Sequence, residues 1–290
     1  MWGSFIILWR GQIYLKVFLF LCEVKNRVIK NDLMTYANSL SFKLILAIFP
    51  FIISLLTLVG FFNLSADKFV LGIIHYIPKG VDKMFIEFFG EIMETKRVSL
   101  FSSSLFIAIY SASAGFYTMI KGICKSYDVN IGKTFFIKKL FSIVLVILFI
   151  ITIIATFYVI IFGDIINELL VKFRIVNYIP PFLTGLLMLV IYGAVLFVFL
   201  ICLYKFSIGV KTKIKTFLPG VFFTVGAWLI ISKLFNLYVN NFSRYSVIYG
   251  SLGAIFIFAL WLFLLSSVIL IGAQLNAVYN DKEFINRLFS

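Results

Sequence analysis

The sequence predicts an all-α polytopic membrane protein with six transmembrane helices, and three observations predict it. Of the 290 residues, 62% are hydrophobic and only 13% are charged, whereas a soluble domain carries about 25% charged residues. Apolar runs of roughly twenty residues recur, each long enough to cross a hydrocarbon core of about 30 Å at about 1.5 Å per residue. The basic residues sit in the short connections between those runs, which reports orientation in a bilayer and not a basic binding face.

The elements follow in order. The N-terminal "FIILWRGQIYLKVFLFLC" is broken by Arg10, Gln12 and Lys16, and each cation at mid-span would cost about 2.5–3.5 kcal/mol. Residues 1–35 are therefore read as a cytoplasmic segment whose helix lies in the interface. With no charged region before the apolar part and no small-residue cleavage site after it, a signal peptide is not expected. Residues 36–279 form the membrane domain, with spans at Leu40–Phe62, Leu100–Ile120, Leu140–Phe162, Pro181–Tyr204, Phe217–Val239 and Tyr249–Ala273. Continuous helix is expected, because in lipid every backbone N–H and C=O must be satisfied within its own segment. Residues 280–290 form a cytoplasmic tail. In the outer loop, "VDKMFIEFFGEIMETK" places Lys83, Glu87, Glu91 and Glu94 on one helical face and Met84, Phe85, Phe88, Phe89 and Ile92 on the other. That is an amphipathic helix, read as a cap over the span ends, with a lid over a substrate entrance as the alternative.

Sixteen of the 26 Lys and Arg fall on the side of the two termini, eight fall opposite, and Lys43 and Lys233 lie within spans. This asymmetry places both termini in the cytoplasm. Cys22, Cys124 and Cys202 then lie at or near the cytoplasmic side, where thiols stay reduced. The net charge of +14 is spread over loops, so nucleic acid is not an expected partner. With one histidine, His75, and three cysteines without ligand spacing, zinc sites and histidine triads lack their parts. No cofactor or metal is expected.

Features inside the spans supply the site candidates. Ser104, Ala108, Ser111, Ala112 and Gly115 form a stripe of small residues, read as a helix-packing face, with a solvated path along the serines as the alternative. Pro50 removes a backbone donor near the carbonyl of Leu46, which predicts a kink and a polar patch at mid-membrane. Lys43 and Lys233 are candidates to meet an anionic group, against a snorkelling reading in which their stems carry the ammonium to the headgroups. Gly250 and Gly253 offer a second packing face. Gln274 and Asn276 bring two amides to the inner end, suited to bridging helices or binding headgroups. Trp261 is mid-span, away from the interfacial belts, so its indole N–H is expected to be bonded within the bundle. The substrate-path candidates are thus Lys43, Pro50, Lys233, Gln274 and Asn276.

Three blocks carry a family resemblance: "YANSLSFKLILAIFPFIISLLTLVGFF" (Tyr36–Phe62), "IYSASAGFYTMIKGICKSYDV" (Ile109–Val129), and Phe217–Ala277 with its Leu-Pro-Gly entry, Tyr-Gly-Ser-Leu-Gly turn and Gly-Ala-Gln-Leu-Asn exit. In order and combination they resemble the YihY/BrkB family of bacterial inner-membrane proteins. Lys43 departs from the pattern, since the family more often has an aromatic or small residue there. The resemblance implies six spans with both ends cytoplasmic. Family members have been labelled ribonuclease-like, and some are linked to virulence or envelope phenotypes.

Hydrolysis of a phosphodiester needs a metal held by carboxylates or histidines, or a positioned acid–base pair. None of the twelve acids falls inside a span, and among the cytoplasmic ones only Asp281 and Glu283 are close in sequence. The expectation is therefore no enzyme and no catalytic residue. A transporter or lipid- and envelope-precursor-handling protein acting on an anionic amphiphile is the leading reading. A non-catalytic structural or assembly factor for envelope complexes is the alternative. Expected partners are membrane lipids, an anionic lipid or lipid-linked substrate and, as an option left open, a second copy of the chain in a homo-oligomer.

Overall fold

The computed structural model describes residues 2–61, 97–130, 135–172, 181–241 and 245–289. Among them are eight α-helices: α1 (Trp2–Lys30), α2 (Leu33–Phe61), α3 (Val98–Ser126), α4 (Phe135–Lys172), α5 (Pro181–Ile208), α6 (Leu218–Asn241), α7 (Tyr245–Tyr279) and α8 (Lys282–Phe289). No strand occurs among the described residues. Six helices contain stretches long and apolar enough to cross a membrane: Leu33–Leu58, Val98–Ser126, Phe135–Thr156, Leu189–Ile208, Leu218–Tyr238 and Phe256–Tyr279.

The helices overrun the spans read from hydropathy. α2 starts seven residues before Leu40, and α3 continues six beyond Ile120. α4 has 38 residues, about 57 Å at about 1.5 Å per residue, well beyond a hydrocarbon core of about 30 Å. Hydropathy registers where a helix leaves lipid, whereas intrahelical hydrogen bonds remain worth keeping in water. α2 stays helical through Pro50. The N-terminal segment forms a single helix, α1, and is not one of the six apolar ones. The amphipathic stretch Lys83–Glu94 lies outside the described residues.

α2 and α3 make the most extensive helix pair, followed by the α6–α7 hairpin. The small-residue stripe of α3 explains the first. At Gly115 the position a Cβ would take lies 3.1 Å from Leu40 Cδ1 and 3.5 Å from Lys43 Cβ, and Ser104 and Ala108 are buried. The Ser104 hydroxyl donates to the Leu100 carbonyl of its own helix at 2.7 Å, which satisfies its donor within α3.

The end of the bundle that carries both termini, here the terminal end, is the dense part. Leu33, Met119, Ile123, Leu145, Leu200, Leu203, Phe217 and Leu270, contributed by five helices and the turn before α6, are all fully or almost fully buried there. α6 and α7 touch backbone to backbone at this end. A Cβ on Gly220 would overlap the carbonyl oxygen of Gly272, and one on Gly272 would stand 2.7 Å from Tyr204 Oη and 2.9 Å from the Gly220 carbonyl.

α1 and α8 meet across the same end. Arg27 Nη2 donates to Asp281 Oδ2 at 2.6 Å and Nε donates to Glu23 Oε1 at 2.6 Å. Asp281 also caps α8, its Oδ1 accepting the N–H groups of Glu283 and Phe284 at 3.1 Å each. The residues before the first span and after the last therefore lie on one face, as an even number of crossings requires.

Two predictions follow from this packing. Gly220→Ala and Gly272→Ala should each lower the thermal midpoint of the detergent-solubilised protein, at a cost of about 1–3 kcal/mol for overpacking. Gly226→Ala, where nothing lies within 4 Å of the added Cβ, should leave it unchanged or raise it slightly. The second concerns pH. The hydrogen bond from Arg27, helped by the Phe284 N–H, holds the Asp281 carboxyl below the usual aspartate range. A lowered acid contributes stability above its ordinary pKa of about 4, and the contribution is lost as pH falls through the lowered value. Asp281→Asn should melt below wild type at neutral pH, and the gap should close on acidification below about pH 4.

Candidate functional site

At the middle of the bundle the six spanning helices enclose a cavity of about 510 Å³. Each contributes to the wall: Ala47 and Phe51 from α2, Ala108, Ala112 and Phe116 from α3, Phe149 from α4, Phe199 from α5, Trp228 from α6 and Trp261 from α7. The alanines make the room, since a larger side chain at any of them would enter it. Phe116, Phe149 and Phe199 pack against one another in tilted and edge-to-face pairs, with centroids 5.5 to 6.3 Å apart, and floor the cavity toward the terminal end. Polar wall groups are few. The hydroxyls of Thr152 and Thr156 donate at 2.8 Å to the carbonyls of Leu148 and Thr152 in their own helix, leaving little to offer a ligand.

No charged residue among the described ones lines this cavity, and Lys43 stands elsewhere. Its ammonium crosses from α2 to α3, donating to Thr118 Oγ1 and, at 3.5 Å, to the Ala114 carbonyl. At about 3.6 residues per turn, the cavity-lining residues of α3 lie close to the opposite side of the helix from Ala114, Tyr110, Tyr117 and Lys121. On that outward side two further lysines gather. Lys121 Nζ lies 4.8 Å from the centroid of the Tyr117 ring. Lys139, from α4, lies 5.2 Å from the Tyr110 centroid and 5.8 Å from that of Tyr117, with Ser113 Oγ at 3.4 Å. The charges of Lys121 and Lys139 are close enough to act on Lys43.

The other sequence candidates are dispersed. Pro50 adjoins cavity-lining Phe51, and the cavity wall beside it is apolar. Lys233 is exposed on α6 among exposed Ile230, Leu234 and Leu237, with no polar partner among the described residues. Gln274 and Asn276 are fully buried and bond within the bundle. Gln274 Oε1 accepts from Asn31 Nδ2 at 3.0 Å and its Nε2 donates to the Ser126 carbonyl at 3.4 Å. Asn276 Oδ1 accepts the Gly220 N–H at 2.6 Å, satisfying one of the free donors at the start of α6. Ser111 is partly exposed, and the surroundings of Gly250 and Gly253 lie outside the described residues. The Trp261 indole has no hydrogen-bond partner among the described residues. The ring instead lines the cavity and packs on Phe235 and Phe258, at 6.4 and 5.9 Å between centroids.

Three groups escaped the sequence reading. Lys121 and Lys139 were counted as loop cations, although Tyr110, Tyr117 and Lys121 share one helical face, which was a readable signal. Lys138 is buried, donating to the Ser207 carbonyl at 2.6 Å and facing Cys124 Sγ at 2.8 Å. Tyr204 donates to the Ile269 carbonyl at 2.8 Å and lies 3.1 Å from Thr224 Oγ1, tying α5, α6 and α7 together. Of the acids, Asp281 is taken by Arg27 and by the cap of α8. Among the described residues no three His, Cys, Asp or Glu converge as metal ligands do.

Comparison with known proteins locates this architecture. The chain is 28% identical over 265 residues to the ribonuclease-like protein YfkH of Bacillus subtilis, covering 91% of this chain and 96% of that protein. It is 34% identical over 105 residues to the UPF0761 membrane protein PSHAa0171 of Pseudoalteromonas translucida, 36% of this chain and 35% of that one. A third relative is the UPF0761 membrane protein PM1616 of Pasteurella multocida, 36% identical over 108 residues, 37% of this chain and 30% of its own. No solved structure matches. The family described as Virulence factor BrkB matches residues 24–287, and this six-span membrane protein belongs to it.

Proposed function

We propose that the protein handles a membrane amphiphile, taking its apolar chain into the central cavity as part of moving or presenting that molecule in the bacterial cytoplasmic membrane. The observation that carries this reading is the cavity itself, walled by all six spans and almost free of polar groups. Its volume lies within the range of about 300–1,000 Å³ common to small-molecule sites. Water gains little there, because a bound water needs two to four polar partners. Hydrocarbon suits the walls, and the bilayer supplies it. The excess of Lys and Arg at the terminal end favours an anionic amphiphile and a cytoplasmic location for both termini.

The name of the Bacillus relative raises hydrolysis as a competing thought for this chain. The arrangement of acids supports that poorly, since Glu23 and Asp281 are both paired with Arg27.

Ala112→Phe fills the cavity from α3 and tests the proposal. Wild type and variant are reconstituted in liposomes carrying fluorophore-labelled phosphatidylglycerol, and dithionite bleaches only the outer-leaflet label. Native mass spectrometry of the same preparations counts retained lipid. The expected outcome is bleaching beyond the outer leaflet with wild type, reduced to the protein-free level by Ala112→Phe along with lipid retention. Retained lipid without movement would instead favour the structural or assembly role. Equal lipid retention by both proteins would remove the cavity from the account.

A further inference from the structure

We propose that the outward face of α3, between α2 and α4, is a seat for the phosphate headgroup of an anionic phospholipid, held by Lys43, Lys121 and Lys139. It is a second site, separated from the cavity by α3 itself.

Three ammonium groups from three helices converge here, and among the described residues no carboxylate pairs with any of them; the ion pairs found there belong to Arg27. Like charges gathered at the edge of hydrocarbon repel one another more strongly than in water. A phosphate between them turns that repulsion into attraction. The lysines keep donors for it. Each ammonium has three N–H groups; Lys43 uses two, on Thr118 and the Ala114 carbonyl, and Lys139 has one polar contact, to Ser113.

The tyrosines position the cations. The rings of Tyr110 and Tyr117 lie under Lys139 and Lys121 at cation–π distance, which steadies the ammoniums without neutralising them. Tyr110 is itself exposed and carries this face from the lysines toward the apolar residues beyond it. Beyond Tyr110 the same face continues into Phe106, 71% exposed and stacked on Tyr110 at 6.5 Å, an apolar surface along which an acyl chain can lie. A headgroup with phosphate at the lysines and its chain along Phe106 meets both chemistries in the right order. Free inorganic phosphate would meet only the first.

The test uses the full-length protein in detergent, titrated with dioleoyl phosphatidic acid or dioleoyl phosphatidylcholine and read by native mass spectrometry. Wild type should prefer phosphatidic acid at least tenfold, given a gain of roughly fivefold per lysine. Lys43→Gln/Lys121→Gln/Lys139→Gln should abolish the preference while phosphatidylcholine binding persists. Lys205→Gln/Lys211→Gln/Lys213→Gln, equal in charge lost, should keep it. Should the first triple variant not fold, exposed Lys121→Gln alone carries the test, with an expected loss of roughly fivefold. A preference that survives the seat variant, or falls equally with the control, overturns the proposal. So does displacement of phosphatidic acid by millimolar inorganic phosphate. Ala112→Phe should leave the preference intact, so failure of the cavity reading and failure of this one are separable.

Discussion

The contact between Gly220 and Gly272 is the constraint on which the terminal end depends. Between helices in lipid no hydrophobic force acts, so association rests on backbone proximity and on polar groups that find partners. Only two glycines allow α6 and α7 to touch at this point. That approach puts Asn276 within reach of the Gly220 N–H and Tyr204 within reach of the Ile269 carbonyl. With α5, α6 and α7 joined, Gln274 of α7 reaches Asn31 before α2 and Ser126 at the end of α3. Four spans and the entry to a fifth are thus tied by a handful of buried bonds. Each would leave an unsatisfied polar group in a medium without water if the glycines were forced apart.

A bundle closed so firmly at one end can be loose in the middle. Large side chains fill the terminal end, whereas Ala47, Ala108 and Ala112 occupy the level above it. Small residues at a helix contact normally bring backbones together, as Gly115 does against Leu40. Where they face the bundle axis, with five other helices around them, they leave volume. The same residue type therefore does opposite things on two faces of α3, and direction decides which.

That distinction separates what was legible in the sequence from what was not. The six spans were legible because hydropathy is additive along a helix and needs no knowledge of neighbours. Three- and four-residue spacing made the small-residue face of α3 readable; in the structure Gly115 lies against Leu40, whereas Ala108 lines the cavity. The cavity was not, because it exists only where faces of six helices converge, and no one of them declares it. Lys43 was found as a charge in a span, yet its surroundings were misjudged. Its partners Thr118, Lys121 and Lys139 lie at least 75 residues away along the chain. Gln274 and Asn276 were legible as amides at the inner end, but hydropathy does not tell a headgroup from the N–H of a distant glycine. Trp261 misled for a related reason: at mid-span an indole is expected to find a partner, and here aromatic neighbours and the cavity surround it instead.

α3 is the helix on which the separate roles meet. One face packs on α2, a second walls the cavity, and a third carries the tyrosines and Lys121. Its position is fixed near the terminal end by Gly122, where a Cβ would stand 2.8 Å from Leu270 Cδ2 and 3.1 Å from Tyr36 Cβ. The helix consequently has little freedom to rotate or slide without colliding with α2 and α7. Groups on its other two faces inherit that rigidity: Lys43 and Lys139 reach it from opposite flanks, and Ala112 and Phe116 hold their places in the wall. Binding to such faces costs little in ordering the protein, since the ordering is already supplied by the packed end. Selectivity for the proposed ligands would then rest on what the fixed groups are, ammonium on the outward face and hydrocarbon within, and not on how far the helices can adapt.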